Sequence, residues 1–216
     1  MILALGLAGN AFGGTILTFD MKPFTVLGGS INAAYGDRVN AASDAVGFYG
    51  TDNGTYTPNV VTSYGGTPRT WTTGYANLTN VHYNDDEGGD LVLTFTADAG
   101  FLVRLVSFDL GSFSGTNRTL SNTAISIRDG ANALVFSVNG PLVIGGSTAN
   151  SFSPNVSAQQ LVLRLHVGQL VNSSDDIAID NVLFSQQAAN VVPEPGTYAL
   201  VGGALLAAAA ARRKRT

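Results

Sequence analysis

The sequence predicts an all-β fold, an antiparallel β-sandwich or jelly roll of about nine strands. Residues 12–190 contain no convincing apolar stripe with the 3.6-residue period of a helix. Short runs in which apolar and polar residues alternate recur there instead. Gly, Asn, Asp, Ser and Thr separate these runs, and such residues are typical of turns and strand edges rather than of helices.

Nine alternating runs are the predicted strands. The run 160–167 is the clearest, because its leucines alternate with Val162 and Arg164. Asp129-Gly130 between two runs predicts a tight hairpin, since glycine tolerates positive φ. Strands without crossover helices imply an antiparallel sandwich, most simply a jelly roll, with an up-and-down barrel as the alternative. The predicted strands are 15–20, 46–49, 60–64, 91–97, 102–110, 124–129, 133–138, 160–167 and 177–184.

Composition and charge restrict what this domain does. The 216 residues include no cysteine, which excludes thiol catalysis and cysteine-ligated zinc. Four of the 11 basic residues lie at 212–215, so residues 12–190 hold 7 basic and 14 acidic residues, a net charge of −7. A surface of that sign repels the phosphates of nucleic acids and of anionic lipids. We therefore expect no nucleic-acid partner.

Residues 191–216 form a three-part segment that a folded domain does not need. The 15 residues 197–211 carry no charge and are rich in alanine and leucine, which favour a helix. Such a helix rises about 22 Å, less than the roughly 30 Å of a hydrocarbon core, so we expect a short transmembrane helix that inserts transiently. The basic cluster favours the cytoplasmic side. The segment contains the motif Val192, Pro193, Glu194, Pro195 and Gly196, and the basic cluster Arg212, Arg213, Lys214 and Arg215.

The order of these three parts resembles the PEP-CTERM sorting signal of Gram-negative bacteria that make exopolysaccharide. The resemblance covers residues 192–215 and rests on the order and spacing of the parts. In that family an exosortase, a membrane-embedded processing enzyme, recognises the signal and cleaves near the Pro-Glu-Pro motif. The resemblance implies that Pro193, Glu194 and Pro195 are recognition residues. It also implies a precursor anchored in the inner membrane, delivery to the cell envelope or extracellular matrix, and extracellular polysaccharide as a partner.

Residues 1–11 predict part of a secretory signal peptide. They are apolar and end in small residues, with Gly9 and Ala11 at the spacing of a cleavage site. No Lys or Arg precedes Lys22, so the positively charged start of such a signal is missing. We expect the true start to lie upstream of Met1, and the alternative is that these residues form the first core strand.

The predicted domain, residues 12–190, also resembles the passenger domains of other PEP-CTERM proteins. The resemblance is carried by short segments, 16–20, 35–39 and 177–182. Passenger domains of this kind are similar to galactose-binding-like jelly rolls. The resemblance implies a fold and no particular activity.

Two groups of carboxylates are candidate ligands for a structural calcium ion. Asp85, Asp86 and Asp90 lie in the most polar stretch of the chain, and Ca²⁺ takes six to eight oxygen ligands. EF-hand spacing is absent, and the alternative is a solvated hairpin loop. Asp20 and Asp180 form the second group, because galactose-binding-like jelly rolls often hold calcium near their first and last strands. The alternative for this pair is a capping or edge aspartate.

An aromatic region is the candidate glycan site. Trp71, Tyr75 and Tyr64 lie in a stretch otherwise rich in Thr, Gly and Asn, with Arg69 two residues before the tryptophan. Sugars stack on such rings while polar side chains bind their hydroxyl groups. The alternative is that these rings fill the core of the sandwich.

The sequence offers little for catalysis. Glycoside hydrolysis needs two carboxylates about 5 to 9 Å apart, one with a raised pKa, and most acids here lie in turn-like settings. The histidines, His82 and His166, have no partner that the sequence identifies, and the G-x-S-x-G and H-E-x-x-H motifs are absent. We therefore predict a non-catalytic structural or adhesive protein of the cell surface or polysaccharide matrix. A carbohydrate-binding module with its site near Trp71 is the alternative, and a glycoside hydrolase the third.

Overall fold

The computed structural model describes residues 14–23, 27–170 and 172–189. Within these residues the chain is built from strands, with two short 3₁₀ turns at Val167–Gln169 and Ser174–Asp176. The strands are β1 (Gly14–Met21), β2 (Gly29–Ser30), β3 (Gly47–Asp52), β4 (Val60–Gly65), β5 (Pro68–Trp71), β6 (Val81–Asn84), β7 (Leu91–Ala97), β8 (Phe101–Ser112), β9 (Arg118–Leu120), β10 (Thr123–Asp129), β11 (Leu134–Asn139), β12 (Leu142–Ile144), β13 (Asn150–Phe152), β14 (Val156–Ala158), β15 (Gln160–Leu165) and β16 (Ile177–Ala188).

Two antiparallel sheets account for most of these strands. In the described part of the chain, one sheet has nine strands and contains the path β13-β8-β16-β6-β5-β2. β1 joins this sheet between β16 and β3, and β14 pairs with β8. The other sheet has five strands in the order β11-β10-β15-β7-β4, and a small ladder pairs β12 with β9. The predicted all-β sandwich is confirmed at this level.

The main core lies between the two sheets. Strict alternation places Leu91, Leu93 and Phe95 of β7 in this core, because every second side chain of a strand points to the same face. The rings of Phe95 and Phe184 lie with their centroids 5.0 Å apart and join the five-stranded sheet to the nine-stranded one. The alternate residues of β7 and β15 therefore point outward, and that outer face carries the candidate site described below.

All nine predicted strands are present, with boundary shifts of a few residues. Seven of the described strands were not predicted, because each has only two to four residues, too few to show alternation of apolar and polar residues: β2, β5, β6, β9, β12, β13 and β14. The predicted hairpin between β10 and β11 is confirmed, but its residue with positive φ is Asn132, at 65°, and not Gly130. Asp129 explains this turn, because its Oδ1 accepts the backbone N–H groups of Ala131 and Ala133 at 3.0 and 2.8 Å.

Three predictions concern residues outside the described ranges: the signal peptide at 1–11, the motif at 192–196 and the apolar helix with its basic cluster at 197–215. None of the described segments contains a helix with the length and apolar character needed to cross a membrane.

Candidate functional site

The outer face of the five-stranded sheet carries a polar groove of about 330 Å³. Strands β10, β11 and β15 contribute its floor and walls, so it lies on the side of the sheet away from the core. Its volume falls within the range of about 300 to 1,000 Å³ typical of sites for small molecules. The side chains that give the groove its chemistry are Ser126, Arg128, Ser137, Asn139, Arg164 and His166.

A larger depression of about 460 Å³ lies beside the β10–β11 hairpin. Its ionisable side chain is Asp129, whose carboxylate already caps the hairpin through two backbone N–H groups. The depression therefore offers less chemistry than the polar groove despite its size.

Three adjacent strands bring Ser126, His166 and Asp90 together beside the polar groove. Ser126 lies in β10 opposite Arg164 of β15. His166 follows β15 directly and keeps the outward direction of Arg164, because the two are two residues apart. Asp90 directly precedes β7, whose first residue pairs with the last residue of β15. The order β10-β15-β7 thus aligns a hydroxyl, an imidazole and a carboxylate.

The distances within this row are those of interacting groups. Ser126 Oγ lies 2.9 Å from His166 Nε2, and His166 Nδ1 lies 3.1 Å from Asp90 Oδ2. A neutral ring that carries its proton on Nδ1, facing the carboxylate, leaves Nε2 free to accept the serine hydroxyl. Asp90 is itself held in place, because Oδ1 accepts the N–H of Gly168 and Oδ2 accepts Arg164 Nη1, each at 3.2 Å.

Two arginines make the polar groove basic on an acidic domain. Arg164 forms an ion pair with Asp90, and its side chain is 46% exposed. Arg128 donates from Nη1 to the carbonyl oxygen of Asn132 at 2.8 Å. None of the ion pairs among the described residues includes Arg128, so its positive charge is not neutralised by a carboxylate there. The groove therefore suits a ligand that carries a negative charge.

Of this row, Asp90 was predicted from the sequence to have a site role, as a ligand for calcium. His166 was set aside because its partner could not be identified. The alternation in the run 160–167 was a signal that could have found His166, because it places the side chains of His166 and Arg164 on the same outward face. Ser126 gave no signal of its own, because only the register of β10 against β15 brings it to His166.

The structure brings two of the four predicted glycan-site residues into one aromatic cluster, and their glycan role stays a prediction. Trp71 and Tyr75 come together with Tyr83 and Phe113 on the opposite face of the nine-stranded sheet from the main core. Tyr75 and Tyr83 are almost fully buried, and the half-buried Trp71 lines a pocket of about 90 Å³. Asp175 also lines it, and burial, followed by repulsion from neighbouring carboxylates, raises the pKa of Asp175. This pocket is small for a glycan site.

Two residues of the predicted glycan site do not join this pocket. Tyr64 packs edge-on against His82 in the main core, and its hydroxyl donates to the carbonyl oxygen of Tyr35 at 2.9 Å. The nine-stranded sheet separates Tyr64 from Trp71, so the two rings do not line one pocket, and the glycan role of Tyr64 stays a prediction. Arg69 lies at the edge of the cluster, where it pairs with Asp85 at 3.2 Å.

Asp20 and Asp180 lie on two paired strands, β1 and β16. Asp180 lies in β16 opposite Asp109 of β8 and is only 4% exposed. Burial, with smaller contributions from the carboxylates of Asp109 and Asp20, raises the pKa of Asp180 to about 8. Asn80 donates to Asp20, and Asn181 donates to Asp109 at 3.0 Å. A glycoside hydrolase needs such an acid, but this one is closed off from a sugar.

The first predicted calcium group, Asp85, Asp86 and Asp90, is dispersed. Asp85 faces Arg69, whereas Asp90 faces Arg164 and His166 on another part of the surface. Asp86 contributes its backbone carbonyl oxygen to a bond from Asn84. In the part of the chain that the structure describes, no group of three or more His, Asp or Glu side chains is arranged to hold a metal ion. Calcium binding stays a prediction.

His82 has a structural environment. Its ring is fully buried beside Phe19 and Tyr64, with centroids 5.5 and 5.4 Å away. Nδ1 donates to the carbonyl oxygen of Arg69 at 3.2 Å, since a carbonyl only accepts. Nε2 has no hydrogen-bond partner within the described residues. Burial lowers the pKa of His82 to about 4, so the ring is neutral at pH 7.

Comparison with protein families identifies the C-terminal segment. Residues 191–215 match the family model of the PEP-CTERM protein-sorting motif. This motif indicates a protein targeted to exosortase. The match indicates an exported precursor that transits the membrane, and it confirms the sorting motif predicted from the sequence.

The remaining comparisons add little. An arabinose-bound MgGH51 α-L-arabinofuranosidase is similar to this chain at 9% sequence identity, with a TM-score of 0.31. The similarity covers 74% of this chain and 27% of that enzyme, so the chain spans about a quarter of the enzyme's length. A TM-score this low carries no argument about fold or activity. No curated protein matches the sequence.

Proposed function

We propose that the exported protein resides in the cell envelope or extracellular polysaccharide matrix, where its sandwich domain has a structural or adhesive role. The polar groove carries this proposal, because it is an open site of about 330 Å³ whose hydroxyl, amide, imidazole and guanidinium groups can bind the oxygens of a glycan. Arg128 and Arg164 favour a polysaccharide with carboxylate groups. Adhesion of this kind needs no catalysis.

We infer that the sandwich is a galactose-binding-like jelly roll. Such folds bring their first and last strands together. In agreement with this, β1 pairs with β16 in an antiparallel ladder that includes Gly14 opposite Ser185 and Leu17 opposite Val182. A glycan-binding surface on an exposed sheet face is compatible with that architecture.

Gel retention tests the adhesive function. The purified protein is run through native gels that contain alginate, an anionic polysaccharide, or dextran, a neutral one. We expect alginate to retard the wild-type protein and Arg128→Gln to reduce the retardation. Arg104→Gln is the matched control, because Arg104 is an exposed arginine of β8 on the other sheet. Absence of retardation by both polymers contradicts glycan binding.

A carbohydrate-binding module centred on Trp71 is the second candidate. The observation that favours it is the half-buried indole, which lines a pocket with Tyr75 and Asp175. In the same gels this candidate predicts that Trp71→Ala abolishes retardation while Arg128→Gln leaves it unchanged. The two variants therefore assign binding to one site or to the other.

Cellular localisation tests the destination. The full chain and a variant lacking residues 192–216 are expressed in an exosortase-containing host and in the same host without its exosortase. We expect the full chain in the envelope or matrix only when exosortase is present. Matrix delivery of the truncated variant contradicts the role of the sorting segment.

A further inference from the structure

We propose that Ser126, His166 and Asp90 form a nucleophilic serine site that hydrolyses short acyl esters on an anionic substrate. The nucleophile and its base are in contact, and the base is in contact with a carboxylate that is fixed by two further partners. These are the geometric relations that activate a serine, irrespective of the fold or the order of the residues along the chain.

The reaction follows from the positions of the donors and acceptors. Ser126 Oγ attacks the ester carbonyl carbon while its proton moves to His166 Nε2. The tetrahedral intermediate collapses, the carbon–oxygen bond to the alcohol breaks, and the leaving alkoxide takes the proton from Nε2. A water molecule, deprotonated by Nε2, then attacks the acyl-serine. The bond between the acyl carbon and Ser126 Oγ breaks, Oγ takes the proton back from Nε2, and the carboxylic acid leaves. Ester and water yield acid and alcohol, and no oxidant or metal is required.

Asp90 is a positioning residue in this scheme. Its carboxylate lies 3.1 Å from His166 Nδ1, so it favours the tautomer that leaves Nε2 as the base. It also stabilises the imidazolium that forms during each proton transfer. Gly168 and Arg164 hold the carboxylate in place and prevent it from turning away.

The negative charge of the tetrahedral intermediate faces cationic donors. Arg164 lies directly opposite Ser126 across the β10–β15 ladder, where such residues have Cβ atoms about 5 Å apart. Arg128 follows Ser126 by two residues on the same face of β10. The backbone N–H groups of a central strand are already hydrogen-bonded within the sheet, so they cannot bind the oxyanion. The two guanidinium groups supply the N–H donors for it instead.

Substrate selectivity follows from the same groove. Leu134 is 52% exposed and provides an apolar contact for a short acyl chain. Arg128, which no described carboxylate neutralises, favours an ester that adjoins a negative charge. A polysaccharide as the carrier of that ester rests on the proposed function, whereas the nucleophilic serine does not.

Covalent labelling tests the nucleophile directly. The full-length protein is treated with a fluorophosphonate probe, and the modified peptide is identified by mass spectrometry. We expect labelling at Ser126, and loss of labelling in Ser126→Ala and His166→Ala. Ser63→Ala is the matched control, because Ser63 is an exposed serine of β4 on the same sheet. Labelling elsewhere, or equal labelling in His166→Ala, overturns the proposal.

Ester hydrolysis tests turnover. We expect the wild-type protein to hydrolyse 4-nitrophenyl acetate, with kcat at least about 100-fold lower in Ser126→Ala and His166→Ala. Added imidazole is expected to restore part of the activity of His166→Ala, which it would not do if His166 were only structural. Asp90→Asn is expected to lower kcat while KM stays unchanged. No hydrolysis above that of Ser126→Ala overturns the catalytic step.

The anionic preference is tested with mono-4-nitrophenyl succinate. We expect Arg128→Gln to raise KM for this ester by about tenfold relative to KM for the neutral acetate, while Arg104→Gln leaves the ratio of the two KM values unchanged. An equal ratio in all three proteins overturns the charge selectivity.

Failure of this proposal differs from failure of the adhesive function. Labelling and hydrolysis use small esters, and gel retention uses polysaccharides without hydrolysis. A protein that alginate retards but that no probe labels is adhesive without being a hydrolase. A protein that is labelled but not retarded has the serine site and lacks the proposed polysaccharide partner.

Discussion

We expect the replacement of His82 to change how the stability of the protein depends on pH. The ring is fully buried, and its pKa is lowered to about 4 because burial disfavours the charged form. An unfolded histidine has a pKa of about 6.5. The unfolded chain therefore binds a proton at this site before the folded protein does. As the pH falls from about 6.5 to about 4, His82 destabilises the folded state.

The magnitude follows from the two pKa values. Each pKa unit corresponds to about 1.4 kcal/mol, so the free energy of unfolding falls through His82 by about 2 kcal/mol at pH 5 and about 3 kcal/mol at pH 4. In His82→Asn, the side-chain amide takes the place of Nδ1 as donor to the carbonyl oxygen of Arg69. The variant leaves a cavity in the core and is less stable at pH 7, by about 2 kcal/mol.

Urea unfolding measures this difference, with fluorescence of Trp71, the sole tryptophan of the sequence, as the signal. We expect the stability of the wild type relative to His82→Asn to fall by about 3 kcal/mol from pH 7 to pH 4, so that His82→Asn becomes the more stable protein at pH 4. Val81→Ala is the control, because it removes buried volume from the same strand without a titratable group, and its stability relative to the wild type should stay constant. A constant difference for His82→Asn as well would refute the buried neutral histidine.

Three further outcomes are expected. In urea unfolding, the free energy of unfolding of Asp180→Asn should rise by about 4 kcal/mol relative to that of the wild type between pH 3 and pH 7. The reason is that the folded pKa of Asp180, about 8, exceeds the unfolded value, so the wild type loses stability as the pH rises. Parallel pH profiles of the two proteins contradict this. Gly47→Ala should lower the free energy of unfolding by about 1 to 3 kcal/mol, since its Cβ would lie 2.3 Å from the ring of Tyr35. Gly130→Ala is the control and should lose less, because the atom nearest to its Cβ is 3.3 Å away. Equal losses in the two variants would show that the structure relieves the close approach at Gly47. Calcium at Asp20 and Asp180 predicts a higher melting temperature with calcium than with EGTA, and Asp180→Asn should abolish the difference; no difference in the wild type contradicts this site.

The sequence predicted what depends on local pattern. Alternation located β7 and β15 because their buried leucines recur at every second residue. It did not predict β6, where Val81 and Tyr83 face the aromatic cluster while His82 faces the main core, so all its residues are buried and no alternation is visible. A strand covered on both faces has no polar side for the pattern to reveal.

The proposed serine site could not be predicted for a different reason. Asp90, Ser126 and His166 are separated by 36 and 40 residues, and nothing in their spacing indicates contact. Their contact depends on the register of two strand pairs, and a shift of one residue in either pair would turn a side chain to the opposite face. Register is set by the buried leucines on the inner face, so the core determines which polar groups meet outside.

Charge distribution restricts the partners of the polar groove further. The domain carries a net charge of −7, yet the groove presents Arg128 and Arg164. At 0.1 M salt the electric field of an exposed charge is screened beyond about 10 Å. A ligand held in the groove therefore interacts strongly with the two arginines and only weakly with distant acidic residues. The arrangement therefore favours a ligand whose negative group lies within the groove beside the arginines, which is compatible with both an anionic ester and a polysaccharide with carboxylate groups.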